Sequence, residues 1–574
     1  MTVQNADVAH IFEHIADILA IENANPFRIR AYRNAARTIF SFTKPVAELV
    51  SEHGDLTELP GIGKDLASKI EEIVKTGELK FLKRLEKEIP RGLSELVEIP
   101  GIGPKKAKYL YKKLNIGSLD DLVSAARQGK VSKLKGFTVQ GEKKLLQNID
   151  TFKHSDQAKR TLWIEAHDLA LSLIEHLQKI PEIEQIEVAG SYRRKKTTVG
   201  DLDLLVSCSS PLKVMEQFKS YDQVQEVRAM GDTKASVVLK SNFQVDLRVV
   251  DKESFGAALL YFTGSKAHNI HLRKIALEQG YKINEYGIFK GKIKLAGSEE
   301  ARIYKQLGLG YIEPELREDL GEIEAARRGK LPKLVEQKFI RGDLHAHTDA
   351  SDGQNSLEDM AAEAKRLGLE YLAITEHSKR VSIAHGLDAK LLEKHIRKID
   401  QFNKAQNGMT LLKGIEVDIL VDGKLDLPDS ILELLDVRVC SVHYNLNLSM
   451  EKMTERIIRA MDNRYFNILA HPTGRLINKR APYAFDLEKI MIAARDRGCF
   501  LEINCQPDRL DLEGEHCKLA KEIGVKLAIS TDAHSTNQLH NMELGVAQAR
   551  RGWLENSDII NTMSLNALLR YLKR

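Results

Sequence analysis

Apolar residues fall in two rhythms along this chain. In the first third they recur at helical spacing, as over Leu66 to Val74 and Ala107 to Leu114, which predicts helices. Ahead of these helices stand Leu59-Pro60-Gly61-Ile62-Gly63-Lys64 and, roughly forty residues on, Ile99-Pro100-Gly101-Ile102-Gly103-Pro104-Lys105. Much later, short uninterrupted apolar runs appear at Tyr371 to Thr375, Val437 to Val442, Asn467 to Ala470 and Lys526 to Ser530, the mark of strands buried on both faces. A ring of such strands predicts a (β/α) barrel, whose chemistry sits at the strand ends.

At 574 residues the chain is long enough for about three to five domains. Its hydrophobic content of 43% is ordinary for a soluble protein. The apolar runs are far shorter than the ~20 residues of a bilayer span, and the N-terminus lacks a signal-like core, so a cytoplasmic, nucleoid-associated protein is expected. Cys208, Cys440, Cys499, Cys505 and Cys517 form no C-x-x-C pair, which fits free thiols in a reducing compartment. The net charge of +5 is concentrated in roughly the first 160 residues, which directs attention there for nucleic acid.

The strand ends carry the chemistry. His345, His347, Asp352, His377, Glu416, His443, His471, Asp532 and His534 combine six imidazoles with three carboxylates. The pairs His345/His347 and Asp532/His534 are spaced i,i+2, so in a strand each pair shares one face and can chelate one ion. A lone histidine is more often an ordinary surface or hydrogen-bonded residue, but nine such groups fill two to three metal sites. Mixed imidazole and carboxylate ligation without cysteine favours Mn2+ or Zn2+.

Two further constellations stand upstream. In each glycine-rich turn, Gly61 and Gly63 or Gly101 and Gly103 let the backbone approach a phosphate, with Lys64 or Lys105 adding charge. This is the helix-hairpin-helix pattern, and its repetition separates it from an ordinary helix-breaking turn. A third, degenerate copy stands at Leu134 to Phe137. Farther on, Gly190-Ser191-Tyr192-Arg193-Arg194 precedes Gly200-Asp201-Leu202-Asp203, and Asp246 lies in the strand Phe243 to Val250. Three converging carboxylates suit two Mg2+ ions, and Ser191 with Arg193 or Arg194 suits outgoing phosphates.

These motifs carry two resemblances. H-x-H-x4-D, E-H, G-I-E-V-D, S-V-H, A-H-P-T-G-R and T-D-A-H resemble the PHP (polymerase and histidinol phosphatase) family over roughly 339–574, with Glu376 where Asp is usual. Tyr261-Phe262-Thr263-Gly264-Ser265, followed by Asn269 and Arg273, resembles the nucleotide-binding segment of the family X DNA polymerases, and residues 1–316 follow that family's order. The second resemblance implies that Tyr261 and Phe262 line the sugar pocket, with Thr263 and Gly264 beside them. It also implies Asn269 at the minor-groove edge of the nucleotide, Arg273 on the template strand and Lys69 as a Schiff-base lysine of a 5′-deoxyribose-phosphate lyase. The chain departs from that pattern at Asp65 and Ser68 beside Lys69, at Val199, and at Gln244, where an arginine would flank Asp246.

The expected protein is therefore multidomain. A lyase-like helix-hairpin-helix domain spans 1–88 and a second such domain 89–155. An α/β nucleotidyltransferase palm (156–255), a thumb (256–316) and a linker (317–338) lead to a distorted (β/α) barrel of PHP type (339–574). It is expected to be a monomeric polymerase that takes gapped or primed DNA and deoxynucleoside triphosphates for short-gap base excision repair. Two Mg2+ ions serve the palm, and a Mn-dependent 3′-5′ exonuclease, or an AP endonuclease or 3′-phosphodiesterase, occupies the barrel, with Glu416 bridging and Arg475 on the phosphate. The alternatives are a purely structural barrel, or a small-molecule phosphatase fused to a DNA-binding module.

Overall fold

The computed structural model describes residues 160–405 and 408–573 continuously. Ahead of them it describes 24–40, 46–51, 54–59, 61–76, 79–88, 104–114 and 116–134, with scattered positions between. Two compact units are present, Met1–Lys159 and Arg160–Arg574.

The first unit is helical. Helix Lys64–Thr76 buries Leu66, Ala67, Ile70 and Ile73, the face its periodicity predicts. They join Phe12, Tyr32 and Ile39 in one apolar cluster, while Leu96, Leu110, Leu122 and Val131 form another. Each fully buried aliphatic side chain contributes about 1.5–3 kcal/mol, so two small clusters suffice for two small helical cores.

In the second unit, strands β1 (Ile183–Val188), β2 (Asp201–Cys208), β3 (Val224–Met230), β4 (Lys234–Leu239) and β5 (Gln244–Val250) form a sheet in the order β1-β2-β5-β4-β3. Only β2 and β5 run parallel. Alternation along β2 sends Leu202, Leu204 and Val206 into a core with Trp163, Leu173 and Phe218. The opposite face carries Asp201, Asp203 and Leu205, the last packed on Phe255 and Ala258 of helix Phe255–Thr263.

The thumb follows, with a core of Leu272, Ile275, Ile303 and Tyr304. The stretch 317–338, expected as a linker, is part of this body. Helix Glu322–Arg327 adds Ile323 and Ala326 to the thumb core, and Arg317 is fully buried. Charges of the stretch are paired: His268 Nδ1 lies 2.6 Å from Glu322, and Arg317 donates to Glu300 at 2.6 Å.

Seven parallel strands then pair in sequence order: β6 (Gly342–Ala346), β7 (Tyr371–Ile374), β8 (Thr410–Asp418), β9 (Val437–Ser441), β10 (Ile468–Leu469), β11 (Phe500–Asn504) and β12 (Leu527–Ser530). The first and last meet just past their ends, where Asp532 N donates to His345 O at 2.9 Å and His347 N to Ala533 O at 2.8 Å. The sheet is thereby a nearly closed barrel. Its outer face also packs on the palm: Leu510 and Leu544 enter the palm core, and Asn478 Nδ2 donates to Arg160 O at 2.7 Å. Among the described residues, no helix is long and apolar enough to cross a membrane.

Glu300 ties palm to thumb. Arg193 reaches it at 2.7 Å and Arg317 at 2.6 Å. Burial pushes its carboxyl up, but the two arginines outweigh that and bring it down from 4.5 to about 2. A carboxyl lowered on folding contributes stability that is complete above its unfolded value and disappears as pH falls through the folded one. Glu300→Gln should therefore cost about 3 kcal/mol at neutral pH, and its deficit against wild type should shrink as pH falls from 4.5 toward 2. Thermal unfolding across that range measures both, and equal stability at pH 7 would show that the pair contributes nothing net.

Candidate active sites

The palm carboxylates face one another by strand register. Asp203 of β2 stands opposite Asp246 of β5, and Asp201 opposite Gln244. Burial, then the charges of Asp201 and Asp246, push Asp203 up to about 7. A carboxyl in that condition is stabilised by a divalent cation, so the three side chains suit metal binding. Gly190 is required beside them, since its φ is +64° and a side chain there would meet Asp203 Oδ2 at 2.7 Å.

A cleft of about 870 Å³ opens over Asp201 and Asp203. Gly190, Ser191, Arg194, Tyr261, Phe262, Gly264, Asn269 and Arg273 line it, as expected from sequence. Asn269 Nδ2 donates to Tyr261 O at 2.7 Å, and Arg273 lies over the Tyr261 ring, fixing the aromatic wall. Three expected members are displaced. Arg193 is turned into the thumb by Glu300 and Thr263, Thr263 is fully buried, and Gly200 sits beneath the Arg160 guanidinium.

Gln244, a departure from the family pattern, donates to both oxygens of Asp246 at 3.3 and 3.2 Å and accepts from Arg228 at 2.9 Å. An arginine thus still acts on Asp246, through one amide. Nothing in the spacing of Arg228 singled it out.

All nine predicted barrel residues converge. Glu416, fully buried, has the ring nitrogens of five histidines around it: His377 at 2.7 Å, His471 at 3.1 Å, His443 at 3.2 Å, His345 at 3.5 Å and His347 at 3.7 Å. Asp532 lies 3.2 Å from His347, while Asp352 lies 3.4 Å from both His377 and His534. Three ligand groups result: His347/Asp352/His377/His534, His345/His347/Asp532 and His377/Glu416/His443. His345 Nε2 and both ring nitrogens of His347 are buried without a hydrogen-bond partner. Buried lone pairs left unmatched in this way are what divalent ions would satisfy. Burial and the neighbouring His377 keep His347 neutral, down at about 3, in the form that coordinates.

Behind the ligands stand residues the sequence left unmarked. Glu502 lies 2.7 Å from His345 Nδ1 and also accepts from His471 N at 2.7 Å. Asp418 lies 3.2 Å from His443 Nδ1. Each carboxylate fixes which ring nitrogen faces inward. The Glu376 substitution is explained here too, because its carboxylate reaches Thr348 and Ser351 and braces the loop that carries His347 and Asp352. Arg475 is corrected. Its three guanidinium nitrogens are taken by Arg509 O, Leu510 O and Glu513, so it ties loops together and is not presented to a phosphate.

In the first hairpin Gly61 holds φ +79°, and Gly63, with open space around it, precedes Lys64 at the helix start. Gly101, Gly103 and the side chain of Lys105 lie outside the described residues. Lys69 is ion-paired with Asp65 and lies over the Phe81 ring. Both contacts engage the amine that a Schiff base would need free to attack.

Comparisons with known proteins match five families in order along the chain. A helix-hairpin-helix domain matches residues 3–79, a SAM-like helix-hairpin-helix tandem 93–150, the DNA polymerase beta palm 164–261, the DNA polymerase beta thumb 258–318 and the PHP domain 343–504. The last match ends before Asp532 and His534, which the barrel nonetheless brings to the other seven ligands. Fold and sites thus define a polymerase-beta-type nucleotidyltransferase joined to a PHP barrel. The chain is 38% identical over 573 residues to the DNA polymerase/3′-5′ exonuclease PolX of Bacillus subtilis (strain 168), covering 99% of each. It is also 31% identical over 246 residues to a protein named "Probable phosphatase" of Thermoanaerobacter sp. (strain X514), covering 40% of this chain and 94% of that one. The chain belongs to the family X DNA polymerases that carry a PHP domain.

Two measurements test these sites. Glu502→Gln keeps all nine barrel ligands but should weaken metal affinity by about 10–100-fold in a metal titration; unchanged affinity would reduce Glu502 to packing. Gly63→Ala fits the free protein without strain, so weaker DNA binding would report lost backbone approach. A loss of about 1 kcal/mol, equal for all sequences, is expected in binding isotherms, and a sequence-selective loss would mean that the hairpin reads bases.

Proposed function

We propose that this protein is a DNA polymerase of the gap-filling repair type with a 3′-5′ exonuclease of its own. Synthesis is assigned to Asp201, Asp203 and Asp246, and degradation to the nine-residue barrel centre. The observation that carries this reading is the presence of two metal-binding constellations of different chemistry in one chain. The palm set is all carboxylate, suited to two Mg2+ ions; the barrel set is mostly imidazole, suited to two or three Mn2+ or Zn2+ ions.

In the palm, Asp203 and Asp246 face each other across β2 and β5, placing ligands on the side of the cleft where a primer end and a nucleotide α-phosphate must meet. Ser191 and Arg194 face the outgoing phosphates, and Tyr261 and Phe262 bound the sugar. Divalent ions there supply charge neutralisation and lower the pKa of the attacking hydroxyl. In the barrel, Glu416 and Asp352 hold the ligand groups together, and Asp352, His443 and His534, the least buried of the nine, are where a DNA 3′ end would arrive. The substrates are gapped or primed DNA and deoxynucleoside triphosphates, which places the protein with the nucleoid. Lyase activity is not assigned, given the Lys69–Asp65 pair.

A phosphatase acting on small phosphate esters is the second reading, favoured by the relative named as a phosphatase. It predicts turnover of a compound such as histidinol phosphate by the full chain and no shortening of DNA ends.

The separation of centres is tested by paired variants on a one-nucleotide gap. Asp203→Ala should reduce primer extension at least a hundredfold and leave degradation largely intact, whereas His345→Ala should do the reverse. Degradation should respond to Mn2+ more than to Mg2+. Degradation that survives His345→Ala, or disappears with Asp203→Ala, would place the nuclease outside the barrel.

A further inference from the structure

The nucleotide cleft has a wall that the polymerase core does not supply. Glu513, Gly514, Glu515, Gln548 and Arg551 of the barrel line it opposite Tyr261 and Arg273. Two of these do more than border the space. Arg551 Nη1 donates to the backbone carbonyl of Arg194 at 2.6 Å and to Glu318 at 3.2 Å. Glu318 accepts from Arg194 Nε at 3.1 Å and lies 3.8 Å from Lys196 Nζ. Gln548 Nε2 donates to the next carbonyl, that of Lys195, at 3.1 Å.

Consecutive carbonyls of one turn are therefore held by consecutive turns of one barrel helix, Met542–Arg551. The turn needs holding. Lys195 has φ +52°, a left-handed conformation that costs a side-chain-bearing residue roughly 1–2 kcal/mol. On either side of that kink, Ser191, Arg194 and Lys196 all border the cleft. The polymerase core holds the turn by its own short-range bonds, Arg194 N to Gly190 O at 3.3 Å, Lys195 N to Tyr192 O at 3.0 Å and Lys196 N to Ser191 O at 3.1 Å, and by Trp163 Nε1 donating to Tyr192 O at 2.9 Å, but these leave the carbonyls of Arg194 and Lys195 to the barrel helix.

We propose that the barrel completes the polymerase nucleotide site, with Arg551 as a positioning residue that holds the 190–196 turn in its triphosphate-binding shape and Gln548 as its second fastening. The proposal rests on assigning nucleotide addition to this cleft. Its chemical sense is plain. A tetra-anionic triphosphate needs Ser191, Arg194 and Lys196 presented together before it arrives, because reordering the turn on binding would be subtracted from affinity. Arg551 also shares Glu318 with Arg194 and Lys196, so that this one carboxylate is divided among three cations and neutralises the two at the cleft less.

The test is steady-state primer extension by the full-length protein with varied nucleotide concentration. Arg551→Ala should raise KM for the nucleotide about tenfold with kcat within about twofold of wild type, and should leave 3′-end degradation unchanged. Arg551→Lys, which can still donate to Arg194 O and Glu318, should recover most of the lost affinity. Gln548→Leu keeps the packing volume, removes the Lys195 bond and should raise KM about threefold; it decides the matter if Arg551→Ala does not fold. Unchanged KM in both variants, or a fall in kcat at constant KM, would overturn the proposal. Parallel loss of extension and degradation in a folded Gln548→Leu protein would do the same. Asp203→Ala run alongside separates the two levels. If it leaves extension intact, the assignment of the cleft fails; if it abolishes extension while Arg551→Ala is silent, only the positioning role fails.

Discussion

A single buried carboxylate organises the larger half of this molecule. Glu416 sits with five imidazoles around it, fully out of water, in a place where an isolated anion would cost several kcal/mol. Burial alone would neutralise it, yet the charges of His377, His443 and His345 hold it well below the ordinary carboxylate range. Such a cluster persists only if the strands that deliver the side chains cannot relax apart. Closure of the barrel between β6 and β12 meets that demand, because the bonds that close it start at His345, His347 and Asp532 themselves. Backbone closure and ligand placement are one event.

The palm solves the same electrostatic problem with less cover. Its carboxylates are less covered than Glu416, and burial of Asp203, reinforced by the charges of Asp201 and Asp246, pushes that carboxyl up to about 7. Repulsion between like groups is relieved by hard, oxygen-seeking cations, while an imidazole-rich centre retains softer ones more strongly. The division of metals proposed for synthesis and degradation therefore rests on this difference in donor atoms. The selectivity lies in the donor atoms and does not require distance between the centres.

Much of this was legible in the sequence, and the gaps have physical causes. The nine barrel ligands were readable because i,i+2 spacing at the end of an apolar run fixes both the face and the depth of a side chain. Glu502 was not, because it reaches His345 across 157 positions of sequence and sits in an apolar strand that reads as ordinary core. Arg193 and Arg194 are indistinguishable as text, yet helical geometry turns one into Glu300 and the other to the cleft. Arg475 followed a convincing motif and still faces away, since three acceptors on the 509–513 segment claim it. The stretch 317–338 read as a linker because charge pairing between elements is invisible until both partners are placed.

The 509–513 segment also shows why the two catalytic bodies are not simply strung together. Asp511 is fully buried and accepts from Thr473 N at 2.9 Å and Gly474 N at 3.0 Å, which fixes the loop just after the ligand His471. One residue away, Leu510 packs into the palm core, and two residues on, Glu513 grips Arg475 at 2.7 Å while bordering the nucleotide cleft. A single short segment thus braces the barrel's metal centre, fills the polymerase core and borders the polymerase's substrate. Substitutions within it act on both centres at once, whereas substitutions among the ligands act on one. Independent tuning of synthesis and degradation then falls to residues outside this segment, the two ligand sets and the Arg551 and Gln548 contacts among them.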